Sequence, residues 1–132
     1  MPNNYASVQQ SFNRCLMQRD FLRRFYTVFL GRDPRIGEKF QNTDWDTQIH
    51  LLRHGISSCL VYADGGELGQ HEIKRLAKSH SKKGYNVAPW MYDEWLEALI
   101  EAIWEKDPEI DDALEQRWRE ALSHGIKRMQ KG

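Results

Sequence analysis

Ile73-Lys74-Arg75-Leu76-Ala77-Lys78-Ser79-His80 is the stretch on which the reading of this chain turns. Ile73, Leu76, Ala77 and His80 recur at three- and four-residue spacing, so on a helix they share one face. The spacing predicts a helix from about His71 to Lys82, ended by Gly84, with His80 pointing at the core. An imidazole among apolar residues is costly unless it is partnered. His80 is therefore either a hydrogen-bonded core residue or a metal ligand, and neutral imidazole is the commonest protein ligand for metals.

The same periodicity runs outward in both directions, and no alternation of apolar and polar residues is long enough for a strand. Upstream, Val8, Phe12, Cys15 and Leu16 keep one helical face. Phe21, Leu22, Phe25, Tyr26, Phe29 and Leu30 form the next, with Asp20 as its cap and Gly31 as its stop. Pro34 suits the first turn of a short helix to Phe40. Thr43 or Asp44 caps a long helix to about Ala63, and Asp64-Gly65-Gly66 with Gly69 reads as a flexible break. On a 100° wheel Gln48, Ile49, Leu52, Ile56 and Cys59 fall on one arc, while His50, Arg53, His54 and Ser57 fall opposite. Downstream, Pro89 opens a helix carrying Tyr92, Trp95, Leu96, Leu99, Ile100 and Ile103, and a last helix after Pro108 carries Leu114, Trp118, Leu122, Ile126 and Met129. The expected fold is all-α with seven helices.

Composition narrows the function. At 132 residues the chain is expected to be one domain, 1–132, with room for a single site. Nineteen Lys and Arg balance nineteen Asp and Glu, so nothing in the net charge favours nucleic acid or an anionic membrane. The longest apolar run, Cys59 to Ala63, is far below the roughly 20 residues that cross a bilayer. Met1 to Gln10 lacks the order of a secretory signal, which makes a cytoplasmic protein the expectation. Cys15 and Cys59 make neither a disulfide framework nor a C-x-x-C pair, and both fall on apolar faces as small core residues. His50 and His54 read as solvated helix positions, as do His71, His124 and the basic run Lys127 to Lys131.

No second ligand set stands near His80. Zinc takes three or four protein ligands, whereas a lone inward His suits haem, whose porphyrin already fills four positions on the iron. At this point the residues carry a family resemblance. Leu76-Ala77-Lys78-Ser79-His80-Ser81-Lys82-Lys83 resembles the proximal F helix of globins. Phe25-Tyr26-Thr27-Val28-Phe29, followed by Asp33-Pro34-Arg35-Ile36-Gly37-Glu38-Lys39-Phe40, resembles the B and C helices of bacterial single-domain and flavohaemoglobin-like globins. Val87, Pro89, Tyr92 and Trp95 fall where globins open their G helix, and Trp118 resembles the H-helix tryptophan. The likeness runs from about Ser11 to Met129, with helices A, B, C, E, F, G and H in order.

The resemblance implies a globin fold around a haem b. It makes His80 the iron ligand through Nε2, with Nδ1–H donating to a backbone carbonyl one turn earlier or to Ser79. Phe40 becomes the corner phenylalanine on the porphyrin face, with an ordinary core aromatic as the alternative. Tyr26 becomes the distal donor to a bound gas, against a phenol bonded to a backbone carbonyl. Gln48 is the candidate distal E-helix residue, and a shift of register would put Leu51 or Leu52 there instead. Leu76 and Val87 are further candidate haem contacts, and Lys83, Tyr85 and Arg75 are candidate partners for the propionates, or members of a solvated face. Tyr92 and Trp95 pack beneath the proximal side or orient His80. The late H-helix glutamate that partners the proximal histidine in flavohaemoglobins has no counterpart.

The implied function is reversible binding of O2, NO or CO at an iron between His80 and Tyr26. An NO dioxygenase served by a separate reductase, and a gas sensor with a separate output partner, are the alternatives, as is a globin fold working in protein interactions without haem. Either a monomer or a homodimer accords with the sequence.

Overall fold

The computed structural model describes residues 5–80 and 87–131. Seven helices account for most of them, and no strand occurs among the described residues. In chain order they are α1 (Ala6–Leu16), α2 (Phe21–Arg32), α3 (Pro34–Lys39), α4 (Trp45–Ala63), α5 (Glu67–His80), α6 (Pro89–Lys106) and α7 (Asp112–Gln130). Among the described residues no helix is long and apolar enough to cross a membrane.

Local chemistry sets most of the boundaries. The Asp33 carboxylate accepts from the Arg35 N–H and Pro34 occupies the first turn of α3. Asp44 caps α4 through the Thr47 N–H, and Asp111 caps α7 through the Leu114 N–H. Two boundaries differ from expectation. Gly31 does not stop α2, which runs on to Arg32. The stop comes at Asp33, whose extended backbone (φ −158°, ψ 131°) is the conformation that a following proline imposes. Asp20 stands at the start of α2 without a side-chain cap bond, because its carboxylate pairs with Lys106 of α6 at 2.9 Å.

The turn after α4 is short, with Gly65 and Gly66 at φ +86° and +93°, a region open to glycine. Gly69 lies inside α5, which begins at Glu67 rather than His71. A Cβ on Gly69 would stand 2.7 Å from the Tyr62 Cα and 2.8 Å from the Val61 carbonyl oxygen, so glycine here lets α5 cross α4 at backbone distance. The expected end of this helix at Lys82 and Gly84 lies outside the described residues.

The helices pack most extensively as α2 on α6, α4 on α7 and α5, and α5 on α7. Val8, Phe12, Phe25, Ile56, Ile73, Leu99, Ile103, Trp118 and Leu122 fill the space between them. One polar cluster is buried there. The Asp107 carboxylate after α6 receives Ser11 Oγ at 2.5 Å, Arg14 Nε at 2.6 Å and the Glu109 N–H at 2.9 Å, and Ser11 in turn receives the indole N–H of Trp118. These bonds fasten α1 to the α6–α7 corner.

Candidate functional site

Tyr26 sits in the middle of α2, 5% exposed. Its ring meets Phe25 (5.0 Å between centroids), Trp45 (5.1 Å) and Phe40 (5.7 Å), all edge-on. Phe40 ends α3, lies edge-on to Phe29, and stacks on Trp45 at 5.9 Å with 20° between planes. The phenol oxygen accepts a 2.9 Å hydrogen bond from Gln48 Nε2 on α4. Among the described residues nothing accepts the phenol proton in return. Burial pushes the Tyr26 hydroxyl up to about 12, against the opposing pull of the Gln48 amide, so it stays a protonated donor at neutral pH.

One turn beyond Gln48, Leu52 is buried, whereas Leu51 is 44% exposed. The first two turns of α4 therefore present Trp45, Gln48 and Leu52 towards the core, as the three- and four-residue spacing requires. His50 and His54 are on the outer side, and His54 Nε2 stands 3.3 Å from Glu72 on α5.

His80 closes the described part of α5, half-buried. Its Nδ1 lies 2.9 Å from the Leu76 carbonyl oxygen and 3.1 Å from Ser79 Oγ, and Ser79 Oγ also donates to Leu76. Since a carbonyl can only accept, Nδ1 carries the proton and the lone pair is on Nε2. Burial holds the imidazole below its usual range, with the Leu76 hydrogen bond opposing, so the neutral form prevails at pH 7. The His80 carbonyl receives the Val87 N–H at 3.3 Å, and Leu76 and Val87 both pack against the core. Tyr92 of α6 faces the imidazole at 6.5 Å between ring centroids. Its buried hydroxyl has no hydrogen-bond partner among the described residues, and burial first, then the neighbouring Cys59, pushes it up to about 12.

The chain is similar over 94% of its length to 93% of a Pseudomonas aeruginosa PAO1 protein whose crystal structure is described as structurally highly homologous to a human hemoglobin, at 36% identity and a TM-score of 0.89. This chain is a globin. No family model and no curated protein matches its sequence.

The globin's α1 to α7 take the places of helices A, B, C, E, F, G and H, the order expected from the sequence. The tyrosine and glutamine expected on the distal side are in contact, and His80 carries the Nδ1 bonds to Leu76 and Ser79. These donors suit a haem: a neutral imidazole with its Nδ1 proton engaged is a competent iron ligand, and the unshared phenol proton suits an electronegative ligand atom. Lys83 and Tyr85 lie outside the described residues. Arg75 is exposed and stands 4.0 Å from Glu72. Among the described residues no group of three His, Cys, Asp or Glu side chains could hold a metal ion. His124, expected as a solvated helix position, is exposed, with its Nε2 3.3 Å from the Tyr5 hydroxyl.

Trp45 is the site residue that sequence reasoning missed. It follows the Asp44 cap and precedes Gln48 by three positions, so a wheel that began at Trp45 would have put it on the inner arc.

Proposed function

We propose that this globin holds a b-type haem through His80 and binds a diatomic gas, O2 foremost, beneath the Tyr26 hydroxyl. The pairing of Gln48 with Tyr26 supports this reading above all else. The amide satisfies the acceptor side of the phenol oxygen, which orients the remaining proton away from Gln48 and leaves it for a ligand. Haem, held through His80, would supply an iron that takes up a small gas.

The protein's own residues do the rest. Leu76 and Ser79 fix the tautomer and orientation of His80. Phe40, held by Trp45 and Phe29, offers an apolar flat surface. Phe25, Phe40 and Trp45 surround the Tyr26 ring with apolar surface, which strengthens any hydrogen bond its hydroxyl makes. Neither cysteine stands in a C-x-x-C-H motif, so attachment is non-covalent. Leu76 and Val87 line the proximal side, and Lys83, Tyr85 and Arg75 are the propionate partners proposed from the resemblance to globins.

The experiment is the absorption spectrum of the purified protein before and after addition of haemin, oxidised, reduced, and reduced under CO. Stoichiometric uptake with a sharp Soret band that moves under CO is expected. Absence of uptake would rule the reading out and turn attention to a role in protein interaction.

A second reading is favoured by the same donor pair, since a phenol held by an amide retains oxygen strongly and suits consumption better than delivery. In it the globin combines NO, O2 and one electron from a separate reductase to give nitrate. Catalytic NO loss on adding such a reductase supports it, and stoichiometric loss opposes it.

A further inference from the structure

The first turn of α4 meets α2 through an ion pair at the surface and an aromatic contact beneath it. Asp44 caps it through the Thr47 N–H and Thr47 Oγ1. Asp46 reaches Arg23 of α2 at 3.0 Å. Between them Trp45 lies edge-on to the Tyr26 ring at 5.1 Å, with 64° between planes, and flat on Phe40. Trp45 and Gln48 stand three residues apart on one face, so α4 grips Tyr26 twice, on its ring and on its oxygen.

A single hydrogen bond fixes only where the phenol oxygen sits. The orientation of the ring comes from what touches it, and the three neighbours are unequal. Phe25 precedes Tyr26 on the same helix and moves with it. Phe40 follows the last residue of a six-residue helix and is itself stacked on Trp45. Trp45 is the neighbour that belongs to another long helix, and Phe40 leans on it. Removing the indole withdraws one wall of the Tyr26 ring and takes from a second, Phe40, its stacking partner.

We propose that Trp45 is the positioning residue of the distal site: it holds the Tyr26 ring so that the hydroxyl meets Gln48 on one side and the gas ligand on the other. It acts through Tyr26 and touches no ligand itself. The proposal rests on the reading of Tyr26 as a ligand donor for its consequence, and on the described contacts alone for its mechanism.

The test compares the wild-type globin with Trp45→Leu and Trp45→Phe, with Trp45→Met in place of the leucine variant if that one does not fold. Side-chain amide resonances of Gln48, followed by NMR in the CO-saturated protein, read the Tyr26–Gln48 bond. Wild type and Trp45→Phe are expected to show two resolved Gln48 protons that exchange slowly. In Trp45→Leu they collapse to the position and exchange rate of exposed glutamines. Unchanged Gln48 signals in the leucine or methionine variant overturn the proposal.

The infrared stretch of bound CO supplies the second reading. Tyr26→Phe and Trp45→Leu are expected to move it in the same direction, and the double variant no further than Tyr26→Phe alone, since two residues acting through one hydroxyl are not additive. A shift in Tyr26→Phe with none in Trp45→Leu sinks the positioning role and spares the donor. No shift in Tyr26→Phe removes the donor reading, and the Gln48 signals still decide whether Trp45 holds the pair.

Discussion

Gln48 of α4 donates its side-chain amide to the Tyr26 hydroxyl of α2 at 2.9 Å, across 22 residues of sequence. The bond joins the two helices at the point where Phe40 and Trp45 also meet the tyrosine ring. It gives a polar pair inside an aromatic surround a defined polarity: the amide donates, the phenol oxygen accepts, and the phenol proton is surplus. A buried hydroxyl with a surplus proton can donate to an incoming acceptor atom, which a tyrosine tied to a backbone carbonyl cannot.

Replacing Tyr26 by Phe keeps the ring packing and removes that proton. A hydrogen bond to a partly charged acceptor contributes roughly 1.5 to 3 kcal/mol, so O2 dissociation from the loaded globin is expected to quicken by about ten- to a hundredfold. Stopped-flow displacement of O2 by CO measures it. Because burial raises the hydroxyl to about 12, the wild-type rate should stay flat through pH about 10, where an ordinary phenol ionises, and rise only beyond it. A rate unchanged in the variant would remove Tyr26 from the site.

His80→Ala is expected to abolish stable haem uptake, while His50→Ala and His54→Ala retain it. The contrast follows from placement. His80 is half-buried with its Nδ1 on the Leu76 carbonyl, whereas the other two are on the outer side of α4 and His54 is spent on Glu72. Haemin titration followed in the Soret band distinguishes them, and equal loss in a surface variant would contradict the assignment of faces.

Much of this arrangement was legible in the sequence because it depends on periodicity. The inward faces of Gln48 and Leu52, and of Ile73, Ala77 and His80, need only a 100° wheel, and Pro34, Asp44 and Pro89 announce their helix starts through local chemistry. Gly31 departs from expectation for a physical reason: a glycine ends a helix by adopting a positive φ, and here Pro34 imposes the stop on Asp33 instead. Gly69 looks like a loop glycine in the sequence because its role lies against another helix's backbone, which no local pattern contains. The Asp107 cluster was invisible for the same reason, its partners Arg14 and Ser11 being 93 and 96 residues away.

Those two glycines give opposite expectations for one substitution. Gly31 is an exposed helical position where an added Cβ meets nothing within 4 Å. Gly31→Ala should stabilise the protein by about 0.5 to 1 kcal/mol, by restricting the unfolded chain and favouring the helix. Gly69→Ala drives a methyl against the Tyr62 backbone and should destabilise it by roughly 1 to 3 kcal/mol, as overpacking does. Urea unfolding of both variants against wild type measures the two signs, and a stabilised Gly69→Ala would mean that α5 does not cross α4 this closely.

The Asp107 carboxylate makes stability depend on acid. Burial alone would raise its pKa, but the hydrogen bonds from Arg14, Ser11 and the Glu109 N–H outweigh burial and hold it below the usual carboxylate range. A carboxyl whose folded pKa is depressed contributes stability that is complete above its unfolded value of about 3.9 and disappears as pH falls through the folded value. Asp107→Asn keeps the shape and discards the charge. At pH 7 it should cost about 2 kcal/mol, the order of a charge-assisted hydrogen bond in a buried place. The gap between wild type and variant should hold down to about pH 5, narrow as pH falls past the unfolded value of about 3.9, and close only once pH is below the depressed folded value. Parallel midpoints over that range would show that Arg14 and Ser11 recognise the shape of the side chain rather than its charge.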